Sequence, residues 1–275
     1  MRSEAYKLSG FTLVAGAMGF LLRWLQDMRI VGGDGLAVNA PISWMVIFIV
    51  VLAAVVLELA TWRLRQFDGP GTAKEAFSGH TPLYGVISLV PAVVLALAGL
   101  LLAVKPGNNV LWPAMHRICG GTMLLGAFGL AILAMNSTRE GKDSLCRSGF
   151  WMLLAFSVFW LITAYRDAAS DPVVWRFVVG IVTRCAALLA VYHAAGYFFN
   201  SPHPRKTVLM CNFAAFLCIT TAIDGSTLSG EEMDLGSLAQ SAAFMAMAMQ
   251  FLIWAFVVVE NMKTKPLAAE DRQSK

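Results

Sequence analysis

An arginine near the middle of a long apolar stretch is the residue in this chain with the strongest reason to do chemistry. Arg184 lies eleven residues beyond Val173, where the stretch begins. At 1.5 Å of rise per helical residue it sits roughly 16 Å deep, close to the midplane of a bilayer. An unpaired charge at that depth costs about 2.5–3.5 kcal/mol on insertion scales, so the guanidinium must face protein, water or a ligand. Asp224, at the end of the next apolar stretch, is its first candidate partner. Asp167 and Asp171, just ahead of Val173, are the next, while Glu58 and Glu260 fall at the far ends of their stretches. The other reading is a structural pin, with Arg184 bonded to carbonyls of a kinked neighbour around Pro91.

More polar groups gather at the same end. His116 and Arg117 open one apolar stretch, and Arg166, Asp167, Asp171 and Arg176 bracket a connection. Arg23, Asp27 and Arg29 close the first stretch. The expectation is an outward-facing polar cavity lined by Arg117, Arg176 and Arg184, with His116 and Asp224 beside it. Its ligand would be an anionic or zwitterionic small molecule, because the planar guanidinium fork suits carboxylate and phosphate. The competing expectation is that these charges lie among lipid headgroups as ordinary interfacial pairs.

Several chemistries lack their residues. His116 and His193 sit toward opposite ends of their helices, more than about a dozen ångströms apart at helical rise, so they cannot share a haem iron. His193 with Tyr192 reads as a packing or hydrogen-bonding pair. No H-E-x-x-H pair, G-x-S-x-G elbow or P-loop is present. No lysine stands mid-stretch for a Schiff base. The five cysteines include no C-x-x-C pair, and Cys211 and Cys218 read as packing residues on one helix face. No catalytic residue, metal site or cofactor follows from the sequence. Basic residues sit in short connections and form no stripe, which argues against nucleic acid.

The elements that must position these residues are apolar runs of membrane length. Hydrophobic residues make up 58% and charged residues only 14%, against about 25% charged in soluble domains. Spans are expected over Leu8–Leu25, Ile42–Ala60, Leu83–Val104, Ala114–Met135, Phe150–Tyr165, Val173–Phe199, Val208–Ile223 and Gly236–Glu260. Each approaches the ~20 residues that a bilayer requires, and lipid leaves helix as the only workable type without the alternation of a barrel. The first run begins with Arg2 and Lys7 and contains Ala15-Gly16-Ala17, yet its apolar stretch continues beyond, so it reads as an uncleaved span. Pro91 predicts a kink. Gly19, Gly120, Gly121, Gly126, Gly129, Ala186, Ala190 and Ala194 predict close helix packing, and Met245–Met249 reads as packing also.

The fold class expected is therefore all-α: a polytopic membrane protein, a single bundle of eight transmembrane helices over 1–262, with a short polar tail over 263–275. Eight spans place both termini on one side. Seven basic residues (Arg23, Arg29, Lys105, Arg117, Arg166, Arg176 and Arg184) fall on the other side, leaving fourteen of the 21 with the termini. That excess makes the terminal side cytoplasmic. Trp24, Trp44, Trp112 and Trp175 fall at outer ends and Trp62 and Trp151 at inner ends, where an indole prefers to sit.

The segments Arg23-Trp24-Leu25, Gly35-Leu36 and Pro41 resemble a group of multi-span membrane proteins of unassigned activity from clostridial, gut-type Firmicutes. So do Asp171-Pro172-Val173-Val174, the run from Ala190 to Phe198, and Ala222-Ile223-Asp224. The resemblance implies an eight-helix protein of a bacterial cytoplasmic membrane and supplies no catalytic residue. Two function classes are carried forward: a small-molecule transporter, permease or solute-binding component, and a sensor or assembly partner that packs against another membrane protein.

Overall fold

The computed structural model describes residues 2–30, 40–77, 82–106, 112–137, 143–169, 174–225 and 235–264, and side-chain statements below are confined to these. Eight long helices dominate: α1 (Arg2–Ile30), α2 (Ala40–Trp62), α4 (Pro82–Val104), α5 (Pro113–Ser137), α6 (Asp143–Ala169), α7 (Val174–Ala195), α8 (Pro204–Thr221) and α9 (Leu235–Glu260). A short helix, α3 (Ala73–Phe77), lies between α2 and α4. Two-residue strands β1 (Phe67–Asp68) and β2 (Lys263–Thr264) pair antiparallel. Among the described residues, seven helices are long and apolar enough to cross a membrane, and α8 is outside that group. The chain is an all-α protein with the character of an integral, multi-pass membrane protein.

The apolar residues that face outward show what solvent the fold is built for. On α2, Trp44, Phe48, Val51, Val55, Leu59 and Trp62 are all exposed. They recur every three or four residues and form one stripe along the helix. The tryptophans at its two ends are roughly 27 Å apart along the axis at helical rise. That matches a hydrocarbon core of about 30 Å with an indole at each interface.

α9 and α8 are the interior helices. Phe244, Met247, Phe251, Trp254 and Val258 of α9 are buried. Aromatic rings fill the gap between α9 and α6: Trp160 lies 4.7 Å from Phe244, and Phe150 lies 5.5 Å from Trp254, centroid to centroid. α8 carries several polar residues, Thr207, Asn212, Thr220 and Thr221, yet all four are buried. Its neighbours explain this. Thr12 of α1 donates to Asn212 Oδ1 at 2.9 Å, and Thr183 of α7 meets Thr221 at 2.7 Å. A helix enclosed by protein can carry hydroxyls and amides that a lipid-facing helix cannot.

Small residues set the closest approaches. A Cβ on Gly120 of α5 would meet the Ala103 nitrogen at 2.6 Å and the Gly99 oxygen at 2.7 Å, both backbone atoms of α4. One on Gly129 would meet the Gly149 oxygen of α6 at 2.5 Å. Gly19 abuts Thr220. Ala186, Ala190 and Ala194 are buried as expected. Gly121 departs from the expectation, because nothing lies within 4 Å of a Cβ there. Met245 and Met249 also face outward, and only Met247 of that run is buried together with its alanine neighbours.

Several boundaries moved from their sequence positions. α1 and α6 extend past their apolar cores into polar ends. Arg23, near the end of the expected first span, is buried and donates to Gln26 Oε1 at 2.8 Å. The stretch expected to end at Phe199 breaks earlier: α7 stops at Ala195, a 3-10 turn covers Gly196–Phe199, and Asn200 is left-handed at φ 57°. α4 runs through Pro91 as one helix. The start of α1 lies beside the end of α9, with the rings of Tyr6 and Phe256 5.1 Å apart. Lys263 and Thr264, at the start of the expected tail, pair with Asp68 and Phe67.

Candidate functional site

Arg184 points along α7 toward the helix N-terminus, as long helical side chains do. Its Nη1 donates to the Gly180 carbonyl one turn back, at 3.2 Å. Arg184 is nine-tenths buried, and its guanidinium lies over two rings, 5.1 Å from the Trp160 centroid and 4.8 Å from that of Phe244. Such cation–π contacts strengthen when water is excluded, to about 2 kcal/mol or more. Arg184 is therefore boxed between α6 and α9.

From this box a polar chain crosses to a carboxylate. Arg184 Nη2 donates to Gln240 Oε1 of α9 at 3.2 Å. Gln240 Nε2 lies 3.4 Å from His116 Nδ1 of α5. His116 Nε2 lies 3.2 and 3.1 Å from the two carboxylate oxygens of Asp167 on α6. Donor and acceptor roles follow along the chain. Arg184 has only donors, so the amide must turn its oxygen to it. The amide nitrogen then faces Nδ1, which must accept, leaving the proton on Nε2 to be donated to Asp167. A positive end and a negative end are thus joined through two neutral side chains. Four helices contribute one residue each.

The elements place these residues together for simple reasons. His116 is in the first turn of α5, Gln240 in the second turn of α9, and Asp167 in the last turn of α6. Antiparallel neighbours bring those ends to one level, and the long Arg184 side chain reaches up to meet them. Trp160 Nε1, on the ring beneath Arg184, is buried without a hydrogen-bond partner among the described residues. A buried N–H of this kind is a place for an acceptor atom.

The sequence-derived site residues divide accordingly. Arg184 and His116 belong to the chain. Arg117 does not: it is exposed, because one helical step turns it about 100° away from the buried His116. Arg176 is in the first turn of α7 and Asp224 in the 3-10 turn Ala222–Gly225, but their side chains lie outside the described residues, and so does any Arg184–Asp224 contact. Gln240 was missed, although an amide in the apolar run of α9 is itself a signal. Asp167 was recognised but not as the far end of the chain. Among the described residues, no three histidine, cysteine or acidic side chains gather to hold a metal ion. The ring of His193 contacts those of Tyr192 and His203, at 5.4 and 6.5 Å, away from His116.

Comparison with protein-family models, with curated proteins and with solved structures found no match.

Proposed function

We propose that this protein is an eight-span component of a bacterial cytoplasmic membrane, with both tails inside, that binds and moves a small anionic or zwitterionic molecule. α8 is the eighth crossing, sheathed by α1, α2, α7 and α9. The observation that carries the reading is the Arg184–Gln240–His116–Asp167 chain, buried at Arg184 and His116 and half-buried at Gln240 and Asp167, beside a Trp160 N–H with no partner among the described residues. Ionisable residues inside spans are costly, and chains of them mark substrate and proton paths. A carboxylate or phosphate oxygen at this place accepts from both the guanidinium and the indole, which no described residue does.

The test is thermal unfolding of the purified protein with amino acids, organic acids and phosphorylated metabolites, in parallel with Arg184→Gln. At a hundred times its Kd a genuine ligand stabilises by about 2.7 kcal/mol. The wild type is expected to shift upward with at least one anion, and Arg184→Gln to lose that shift. A wild type that no anion stabilises overturns the reading. The second reading, a sensor or assembly partner docked on another membrane protein, is favoured by one observation: Arg184 already donates to Gly180 and Gln240 in a closed setting. On that reading no anion shifts the transition and a second membrane protein co-purifies in stoichiometric amount.

A further inference from the structure

At the opposite end of the bundle, two arginines converge on one indole. Trp62 ends the exposed stripe of α2, and the guanidinium carbon of Arg65 lies 4.4 Å from its ring centroid. That of Arg205, at the start of α8, lies 5.7 Å from the same centroid. Two like charges on one ring repel. Glu58 offsets one of them by pairing with Arg205. Arg65 is exposed and has no acidic partner among the described residues. The cluster therefore carries a net positive charge at the level where the apolar stripe stops. Its geometry is fixed from behind, because Gly69 abuts Pro204 and β1 is pinned to β2.

We infer that this cluster is a binding site for an anionic phospholipid, with the phosphate held by Arg65 and Arg205. Arginine grips phosphate through paired N–H donors, and basic sites at the cytoplasmic ends of spans take anionic headgroups. The apolar stripe identifies the lipid as the source of the phosphate. Val55 and Leu59 continue directly below Trp62 on the same exposed face, so an acyl chain attached to a phosphate at Arg65 lies along them. A free phosphate ion makes no use of that face. The site is separate from the Arg184 chain and does not depend on what Arg184 binds.

Native mass spectrometry of the full-length protein in detergent tests this, with phosphatidylglycerol, phosphatidylcholine of the same acyl chains, and inorganic phosphate as competitor. One phosphatidylglycerol is expected to be retained in preference to phosphatidylcholine, undisturbed by millimolar phosphate. Arg65→Gln should weaken retention about five-fold, the effect of one basic residue at a charged interface. Trp62→Leu, which keeps the stripe apolar but removes the ring that aligns both guanidiniums, should weaken it also. Arg147→Gln, another exposed cation, should leave it unchanged. Equal retention by Arg65→Gln and wild type, equal retention of the two lipids, or displacement by inorganic phosphate each overturns the inference.

Discussion

Replacing Gln240 with leucine is expected to lower the unfolding free energy by about 2–3 kcal/mol, although the substitution is apolar and close in size. Two bonds vanish together: the acceptor for Arg184 at 3.2 Å and the donor to His116 at 3.4 Å. Interhelical hydrogen bonds in membranes average only about 0.6 kcal/mol, which would make the change nearly silent. The charge decides otherwise. A hydrogen bond to a charged group contributes about 1.5–3 kcal/mol, and a buried donor left without its acceptor carries its full desolvation cost. Gln240→Glu keeps an oxygen facing Arg184 but sets a second oxygen against the Nδ1 lone pair of His116, so it should recover only the part of the loss that belongs to Arg184. Thermal unfolding of both variants in one detergent reads the difference. A Gln240→Leu transition that coincides with wild type means that the chain contributes nothing to holding the helices together.

The neighbouring glycines Gly120 and Gly121 should respond in opposite directions to leucine. At Gly120 the new Cβ would stand 2.6 Å from one α4 backbone atom and 2.7 Å from another. No rotamer relieves a clash with backbone, so α4 and α5 must separate along their contact. Overpacking costs about 1–3 kcal/mol where side chains can adjust, and more where they cannot. A loss of at least ~3 kcal/mol, or failure to accumulate in the membrane, is expected. At Gly121 nothing lies within 4 Å. Leucine there escapes the entropic cost of a helical glycine and should be neutral or stabilising by up to about 1 kcal/mol. Melting curves of the pair settle it, and equal effects at both positions would sink the assigned α4–α5 packing.

Seven of the eight expected spans were legible among the described residues, because hydrocarbon demands long apolar runs and hydropathy reads such runs directly. Their ends were not, since polar residues such as Asp143 and Arg2 continue a helix beyond the lipid without any apolar signal. α8 shows the limit more sharply. Its threonines, Asn212 and the pair Arg205-Lys206 dilute the apolar run, and only tertiary enclosure explains how so polar a helix is buried. Within the site, a search for charges finds Arg184 and His116 but passes over Gln240, a neutral amide whose importance comes from standing between them. Arg117 entered the expected site as one of several charges at the same end, and the sequence does not show that one helical step of about 100° turns it away from the buried His116. The ribbon of Phe67–Asp68 with Lys263–Thr264 left no trace, because two residues carry no period and their partners are nearly 200 positions away.

Reporter fusions test the central claim most directly: that the chain crosses the membrane eight times and holds the Arg184 chain in its outer half. A fluorescent protein on either tail should be bright, as it is only when it remains in the cytoplasm, and alkaline phosphatase inserted between α4 and α5 should be active outside. One bright tail and one dark tail, or an inactive phosphatase in that connection, would contradict the eight-span arrangement and the outward placement of the site.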